Sequence, residues 1–321
     1  MSRQKSITLA PSALDRNGIS TTETLVAARL DFLINGALAT GYDRNGIATS
    51  QTPTSAAAMT LDGALGTDFV SRKGAYILIY AAADDSGRTF TVLGKDGLGN
   101  VLREVITGPG LGLITLGTTR FWSVDSVTPD AATAGNIEIG VNGYVDLKGA
   151  GAAQHVAIYS AGNDSSATIL VTGENRYDDA LTETITGANA GTSSSQSLNF
   201  GRVDRITLST GSAGAVEAGI DGLAESQWFV LNYRGADFNV GFGVEISDSA
   251  SLTYTVQHTF HDVLANDYTE GDETVWNHET VVTQTANADG NYTNPPFATR
   301  TAITVHSSGS LIQKILQAGR S

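Results

Sequence analysis

The chain has 321 residues, no cysteine, 36 glycines and a formal net charge of −14. Without cysteine there is no disulfide scaffold and no thiolate-bound zinc or iron–sulfur cluster. The acidic excess argues against general nucleic-acid binding, which depends on clustered lysine and arginine. No apolar run is long enough for a membrane-spanning helix, and none follows the basic N-terminus as in a secretory signal. We therefore expect a protein that does not use the classical secretory route.

The composition predicts an all-β fold. Charged residues make up only 16% of the chain, so serine, threonine, asparagine and glycine must cover much of its surface. Strong helix formers are scarce, whereas β-branched residues and glycine are abundant. This composition favours short strands joined by many turns.

A short repeat marks the N-terminal region. Residues 15–19 read DRNGI and recur unchanged at 43–47, and NGAL at 35–38 is echoed by DGAL at 62–65. Asn-Gly is a strong hairpin signal. We expect residues 1–66 to form an extended arm or hairpin region that docks on other subunits.

One segment of this region leaves a second interpretation open. Residues 24–34 read TLVAARLDFLI, with alanine, leucine and arginine at spacings that a helix could use. A helix over these residues is therefore the alternative to extended structure.

A longer repeat organises the middle of the chain. Residues 75–143 align with 154–222 at a constant offset of 79 and without a gap. We interpret the alignment as the duplication of a small domain. The matched positions include Tyr80 and Tyr159, Asp85 and Asp164, Gly94 and Gly173, Glu104 and Glu183, Phe121 and Phe200, Glu138 and Glu217, and Gly140 and Gly219.

Each repeat has the pattern of an antiparallel β-sandwich. Strands are predicted in the first copy at 74–81, 88–94, 101–107, 121–127 and 136–141, with an Asp-Gly hairpin loop at 95–100. Short strands at this spacing, separated by glycine-rich turns, are typical of a sandwich. A unit this small buries little apolar surface alone, so neighbouring units or subunits should complete its core.

The chain changes character after about residue 225. Strands are predicted at 227–233, 238–246, 251–260, 299–306 and 309–317. A long polar loop at 261–297 separates them, and such loops on a β scaffold commonly contact partners. The expected organisation is an N-terminal region at 1–66, sandwich repeats at 67–145 and 146–224, and a C-terminal sandwich at 225–321.

Several stretches resemble a recurring type of tailed-bacteriophage virion protein built from tandem Ig-like β-sandwich modules. The resemblance covers about residues 45–319 and consists of turn-and-strand patterns. The first module departs from the pattern at 108–112. The matching stretches are the repeat signature between Tyr159 and Gly214, then TYTVQHTF at 253–260, WNH at 276–278, TANADG at 285–290, ITV at 303–305 and ILQAG at 315–319.

This resemblance implies a non-enzymatic structural protein of the virion, assembled in the bacterial cytoplasm as a homo-oligomer, with a trimer as the expected state. Within that class a capsid decoration or cement protein is the preferred function. Its partners would be other copies of itself and other virion proteins, with no nucleic acid, membrane or cofactor involved. The alternatives are a tail component, such as a tail-tube, adaptor-collar or fibre-base protein, and a carbohydrate-binding module for a host surface.

Weak candidates for a metal site are His258, His261 and Asp262, with His278 or Asp267 as further ligands. Residues three apart on a strand point to opposite faces, so this spacing opposes a shared metal. The acidic loop from Asp262 onward could supply oxygens to Ca²⁺ but lacks EF-hand spacing. We therefore expect no bound metal and a solvated loop, with Ca²⁺ binding as the alternative.

Catalytic patterns are missing from the sequence. There is no nucleophile elbow, zinc-protease helix or phosphate-binding loop, and the carboxylate pairs at 84–85 and 178–179 are common turn residues. We expect that the protein is not an enzyme and has no catalytic residues. Carbohydrate binding would instead depend on exposed aromatic side chains, for which the candidates are Trp122, Tyr177, Trp228, Tyr268 and Trp276.

Overall fold

The computed structural model describes residues 3–11, 15–27, 29–69, 73–148, 152–195, 198–232, 238–265, 268 and 271–317. The expected all-β fold is confirmed, because every regular element in these residues is a strand and the strands pair antiparallel. The described part of the chain contains no helix that could cross a membrane.

The described residues form 24 strands. The N-terminal region contains β1 (Arg3–Leu9), β2 (Asp15–Glu23), β3 (Ala39–Thr40) and β4 (Asp43–Gln51). The first repeat contains β5 (Ala75–Ala81), β6 (Thr89–Lys95), β7 (Val101–Thr107), β8 (Ile114–Phe121), β9 (Ser123–Pro129) and β10 (Ile137–Val141). The second repeat and the segment before it contain β11 (Tyr144–Asp146), β12 (Ala152–Ser160), β13 (Thr168–Glu174), β14 (Ala180–Thr186), β15 (Thr192–Ser195), β16 (Arg202–Leu208) and β17 (Val216–Ser226). The C-terminal part contains β18 (Phe229–Val230), β19 (Val240–Ile246), β20 (Ser251–Thr259), β21 (Trp276–Asn277), β22 (Ala288–Tyr292), β23 (Ala298–Ser308) and β24 (Leu311–Gln317).

The two repeats share one fold. Strands β5–β10 correspond in order to β12–β17 at the same offset as the sequence alignment. A buried turn carboxylate makes the same bond in both copies. Asp85 Oδ1 accepts from the Ala134 amide at 2.7 Å, and Asp164 Oδ1 accepts from the Ala213 amide at 2.7 Å. The carboxylates therefore fix equivalent turns rather than forming a reactive pair.

The N-terminal strands belong to four different sheets, and the short β3 joins that of β11. β1 pairs with β24, β2 pairs with β17 and β4 pairs with β10, all antiparallel. The earlier segment, β2, thus joins the second repeat, and the later segment, β4, joins the first. The residues expected to act as an arm are in this way built into the chain's own sheets.

The short N-terminal repeat explains how β2 and β4 dock alike. Arg16 forms an ion pair with Glu217 at 3.1 Å, and its guanidinium lies over the Tyr159 ring. At the equivalent place Arg44 pairs with Glu138 at 2.6 Å over the Tyr80 ring. The two glutamates and the two tyrosines are matched positions of the long repeat, so each repeating unit consists of an N-terminal segment and a sandwich separated in the chain.

Three apolar cores follow the same division. Ile19 and Phe32 are fully buried in the core of the second repeat, and Ile47 in that of the first. Leu9 is fully buried in the C-terminal core. Each sandwich therefore obtains part of its core from the first 66 residues, which meets the need for extra burial that its small size predicts.

The alternative of a helix over residues 24–34 is wrong. The described residues of this segment form no helix, because Val26 and Arg29 make an antiparallel bridge at a turn. The Phe32 amide donates to the Ile206 carbonyl of the second repeat at 2.9 Å. Asp31 binds Arg205 at 2.6 Å, and Leu25 and Ile34 are buried. Contacts with a distant sheet outweigh the weak local helix preference of the segment.

The neighbouring units are joined firmly. Arg120 of the first repeat lies 3.2 Å from Asp204 and 3.5 Å from Glu174 of the second. Burial raises the pKa of Asp204 above its usual value although Arg120 and Arg202 oppose the shift.

Between the second repeat and the C-terminal part there is no linker, because β17 pairs with β12 and also with β23. The boundary expected at 224–225 lies within this strand.

A stability test follows from the close approach of β4 to β10. A methyl group on Gly140 would lie 1.9 Å from the Asp43 main-chain oxygen, whereas one on Gly87 would meet nothing within 4 Å. We expect Gly140→Ala to lower the free energy of unfolding by about 2 kcal/mol or more, because the obstructing atoms are backbone. Gly87→Ala should change it by less than about 1 kcal/mol. Urea unfolding followed by circular dichroism measures both, and equal stability of the two variants would contradict the docking of β4.

Candidate functional site

A cavity lies between the second repeat and the C-terminal part. Its volume is about 800 Å³, and its walls come from the β13–β14 hairpin, the segment around β18 and the loop that follows β20. Four aromatic residues line it, namely Tyr177, Trp228, Phe229 and Tyr268. This cavity is called the aromatic cleft below.

The hairpin that carries Tyr177 is held in place from both sides. Asn175 Oδ1 accepts from the Tyr177 amide at 2.8 Å and from the Asp179 amide at 3.1 Å. At the hairpin tip Asp178 forms ion pairs with Lys148 and, at 2.6 Å, with Lys73. Hydrogen bonds from these two lysines lower the pKa of Asp178 to about 2. Tyr177 itself remains 46% exposed on a fixed turn.

The opposite wall is organised by one buried carboxylate, Glu273. Its Oε1 accepts from Trp228 Nε1 at 3.0 Å, and its Oε2 accepts from the Tyr268 hydroxyl at 3.0 Å. The Gly271 amide adds a third bond at 2.8 Å. Because one carboxylate binds both rings, their positions in the cleft are fixed relative to each other.

A buried arginine neutralises this carboxylate. Arg300 on β23 lies 3.6 Å from Glu273 and 2.5 Å from Glu225, and its guanidinium lies over the Trp228 ring. A buried charge is tolerated only when it is paired and hydrogen-bonded. The two glutamates and the arginine therefore form a rigid support beneath the aromatic wall.

The rest of the cleft combines apolar side chains with a few polar groups and contains one charge of each sign. Gln227 presents an amide, Asp179 a carboxylate and Lys5 an ammonium group, whereas the Asn175 amide is bonded within its own hairpin. The apolar residues are Ala180, Leu181, Val230, Val263, Leu264 and Ala265. Flat aromatic surfaces beside a few polar groups are typical of small-molecule sites. The arrangement can bind a ligand but shows no nucleophile next to a general base.

Three of the five aromatic candidates from the sequence thus meet in one place, and two do not. Trp122 packs against Gly74 and Gly97 of the first repeat. Trp276 is 44% exposed on β21, where its ring contacts those of His258 and Phe260.

The weak metal candidates are separated. The His258 ring packs among Phe260, Trp276 and Tyr292, and burial together with the nearby His278 lowers its pKa. His261 lies beyond the end of β20, and its ring contacts Tyr268 instead.

The remaining candidates already have hydrogen bonds. Asp262 Oδ1 accepts from the Leu264 amide. His278 contacts the Asn291 carbonyl through Nε2 and accepts the Thr280 amide at Nδ1. Asp267 lies outside the described residues. Within the described ranges no three His, Asp or Glu side chains are placed to hold a metal ion.

Sequence reasoning missed Glu273 and Arg300. Glu273 was one of several acidic residues in a polar loop, and its partners are 45 residues away at Trp228 and five at Tyr268. An ion pair between residues far apart in the chain leaves no local pattern in the sequence. The only available signal was the presence of two aromatic residues near the loop.

Comparisons with protein families, curated proteins and solved structures gave no match to this chain.

The role of Glu273 can be tested by substitution. Glu273→Gln should lower the free energy of unfolding by about 2–3 kcal/mol, because bonds to a buried charged group are lost and Arg300 keeps only Glu225. The emission of Trp228 should shift to longer wavelength as its ring loses its anchor. Asp272→Asn, the same change at the exposed neighbour, should alter stability by less than about 0.5 kcal/mol. A Glu273→Gln variant as stable as Asp272→Asn would show that the carboxylate does not support the cleft.

Proposed function

We propose that the protein is a non-enzymatic structural component of a bacteriophage virion, and that it decorates or cements the capsid as a homo-oligomer. Two findings support this proposal. The repeat and terminal signatures resemble such virion proteins, and the chain forms serial β-sandwiches whose units are tied together by shared strands and buried ion pairs. Such rigid modular construction suits a load-bearing part of a particle.

The observation that carries the proposal is a difference between the two repeats. Leu93, Val101 and Val105 form an apolar patch on the outer side of β6 and β7, called the first-repeat patch below. They are 36%, 75% and 47% exposed, respectively. Their counterparts in the second repeat are Thr172, Ala180 and Thr184. The shared fold therefore does not require leucine and valine at these positions.

The three side chains of the patch lie around Arg103 on one face of a hairpin at a sheet edge. In the β6–β7 register Leu93 faces Arg103, so Val101 and Val105 are its diagonal neighbours on the same face. β7 is the edge strand of its three-stranded sheet. An edge strand with exposed apolar side chains promotes association unless a partner covers it.

A second copy of the chain is the occupant that we propose for this patch. Copies with a net charge of −14 repel each other at long range, so their association needs a contact that does not depend on charge. An apolar patch beside an edge strand provides one, and repetition of the contact around a symmetry axis gives a closed ring, with a trimer as the expected state.

The test uses phage particles purified on a density gradient. We expect the protein at hundreds of copies per particle, as for a capsid surface protein, measured by gel densitometry against the major capsid protein. A few copies, in multiples of three or six, would favour a tail component instead. Absence from purified particles would contradict the proposal of a virion structural protein.

Matched variants test the first-repeat patch in the same assay. The substitutions Leu93→Thr, Val101→Ala and Val105→Thr install the residues of the second repeat, and together they should convert the oligomer to monomer in light scattering and reduce occupancy on particles. The control Leu170→Thr installs the first-repeat residue Thr91 at an exposed position of the second repeat and should leave both unchanged. An unaltered oligomer in the triple variant would rule out this patch as the contact.

A further inference from the structure

We propose that the aromatic cleft is a binding site for a neutral oligosaccharide. This inference goes beyond the structural role proposed above and does not depend on it. It rests on the cleft's ring surfaces, on its charge balance and on the hydrogen bonds that hold both its walls.

The rings match the apolar face of a sugar. A pyranose presents several C–H groups on one face, and these pack against the electron-rich face of an aromatic ring. Tyr177, which is 46% exposed, offers such a surface on one wall. Tyr268 lines the other wall beside Trp228, which is only 8% exposed and has Arg300 over its ring. A cavity of about 800 Å³ is within the usual size range of small-ligand sites.

The polar groups match hydroxyls rather than charges. The exposed amide of Gln227 offers both donors and an acceptor, which neutral hydroxyl groups can use. Lys5 and Asp179 balance each other, so the lining has no net charge in a chain of net charge −14. An acidic sugar or a phosphate would meet no excess of positive charge here, and a cation would meet no excess of negative charge.

Hydrogen bonds within the chain hold the Tyr177 turn and the rings of Trp228 and Tyr268 in place. The Tyr177 hairpin is fixed by the bonds of Asn175 and by the Asp178–Lys73 ion pair. Trp228 and Tyr268 are fixed by Glu273. Aromatic side chains that are already ordered lose little conformational entropy on binding, which favours affinity for a weakly interacting ligand.

The first repeat shows that Tyr177 is not needed for the turn. Its counterpart at the tip of the β6–β7 hairpin is Leu98, which is 89% exposed. The turn geometry is the same, since Asp96 accepts from the Leu98 and Asn100 amides just as Asn175 accepts from those of Tyr177 and Asp179. A tyrosine occurs only in the copy that faces the C-terminal part.

The experiment begins with the full-length protein on a microarray of neutral and acidic oligosaccharides. We expect binding to neutral members. The strongest of these is then titrated against wild type and variants by calorimetry. Tyr177→Leu, which installs the first-repeat residue, should weaken binding about tenfold or more, equivalent to about 1.4 kcal/mol. Glycan binding by Trp276→Ala and by Leu98→Ala should remain within about twofold of wild type, because both residues lie outside the cleft.

Three results would overturn the proposal. They are no binding to any neutral glycan, binding restricted to acidic glycans, and binding that Tyr177→Leu leaves unchanged. Circular dichroism and thermal melting of Tyr177→Leu check that the fold is intact, and the conservative Tyr177→Phe should retain most of the affinity. None of these outcomes alters the particle test above, so the two proposals can fail separately.

Discussion

The docking of β2 on β17 and of β4 on β10 is the contact on which the rest of the structure depends. Each repeat is too small to bury a full core, and these strands supply the missing apolar side chains, Ile19 and Ile47 among them. The approach is so close that only glycine fits opposite the docked backbone, at Gly219 in one copy and Gly140 in the other. An arginine on each docked strand then pairs with a glutamate of its sandwich.

This docking also determines where the candidate sites lie. The second repeat is fixed by β2 along β17, and the same β17 continues into the sheet of the C-terminal part through β23. The wall that contains β18 belongs to this sheet, whereas the β13–β14 hairpin of the other wall belongs to the five-stranded sheet with β16. Ion pairs from Lys73 and Arg120 orient the second repeat against the first. The first-repeat patch, by contrast, lies on a separate three-stranded sheet, in which β7 is an edge strand.

Local structure was accessible from the sequence, and pairing between distant segments was not. The prediction missed β8, and it placed a long loop at 261–297, where the structure has β21 and β22. Most other strands, the Asp-Gly hairpin and the duplication follow from alternation, turn residues and a constant offset. The partners of the two DRNGI segments do not, because Arg44 and Glu138 are 94 positions apart, and Arg16 and Glu217 are 201 apart. A signal existed, since a duplicated arginine and a duplicated glutamate point to a duplicated contact. The aromatic cleft was predicted only in part. Three of its aromatic residues were candidates, but Glu273, which binds two of them, has no local sequence pattern.

Hydrogen–deuterium exchange read by mass spectrometry tests the docking of the N-terminal strands most directly. Amides in peptides covering β2 and β4 should exchange as slowly as those of their partners β17 and β10, because they belong to the same cooperative sheets. A region that behaved as a free arm would exchange within seconds while the sandwiches stayed protected. Slow exchange in both peptides supports the shared construction of the three units, and fast exchange in both would contradict it.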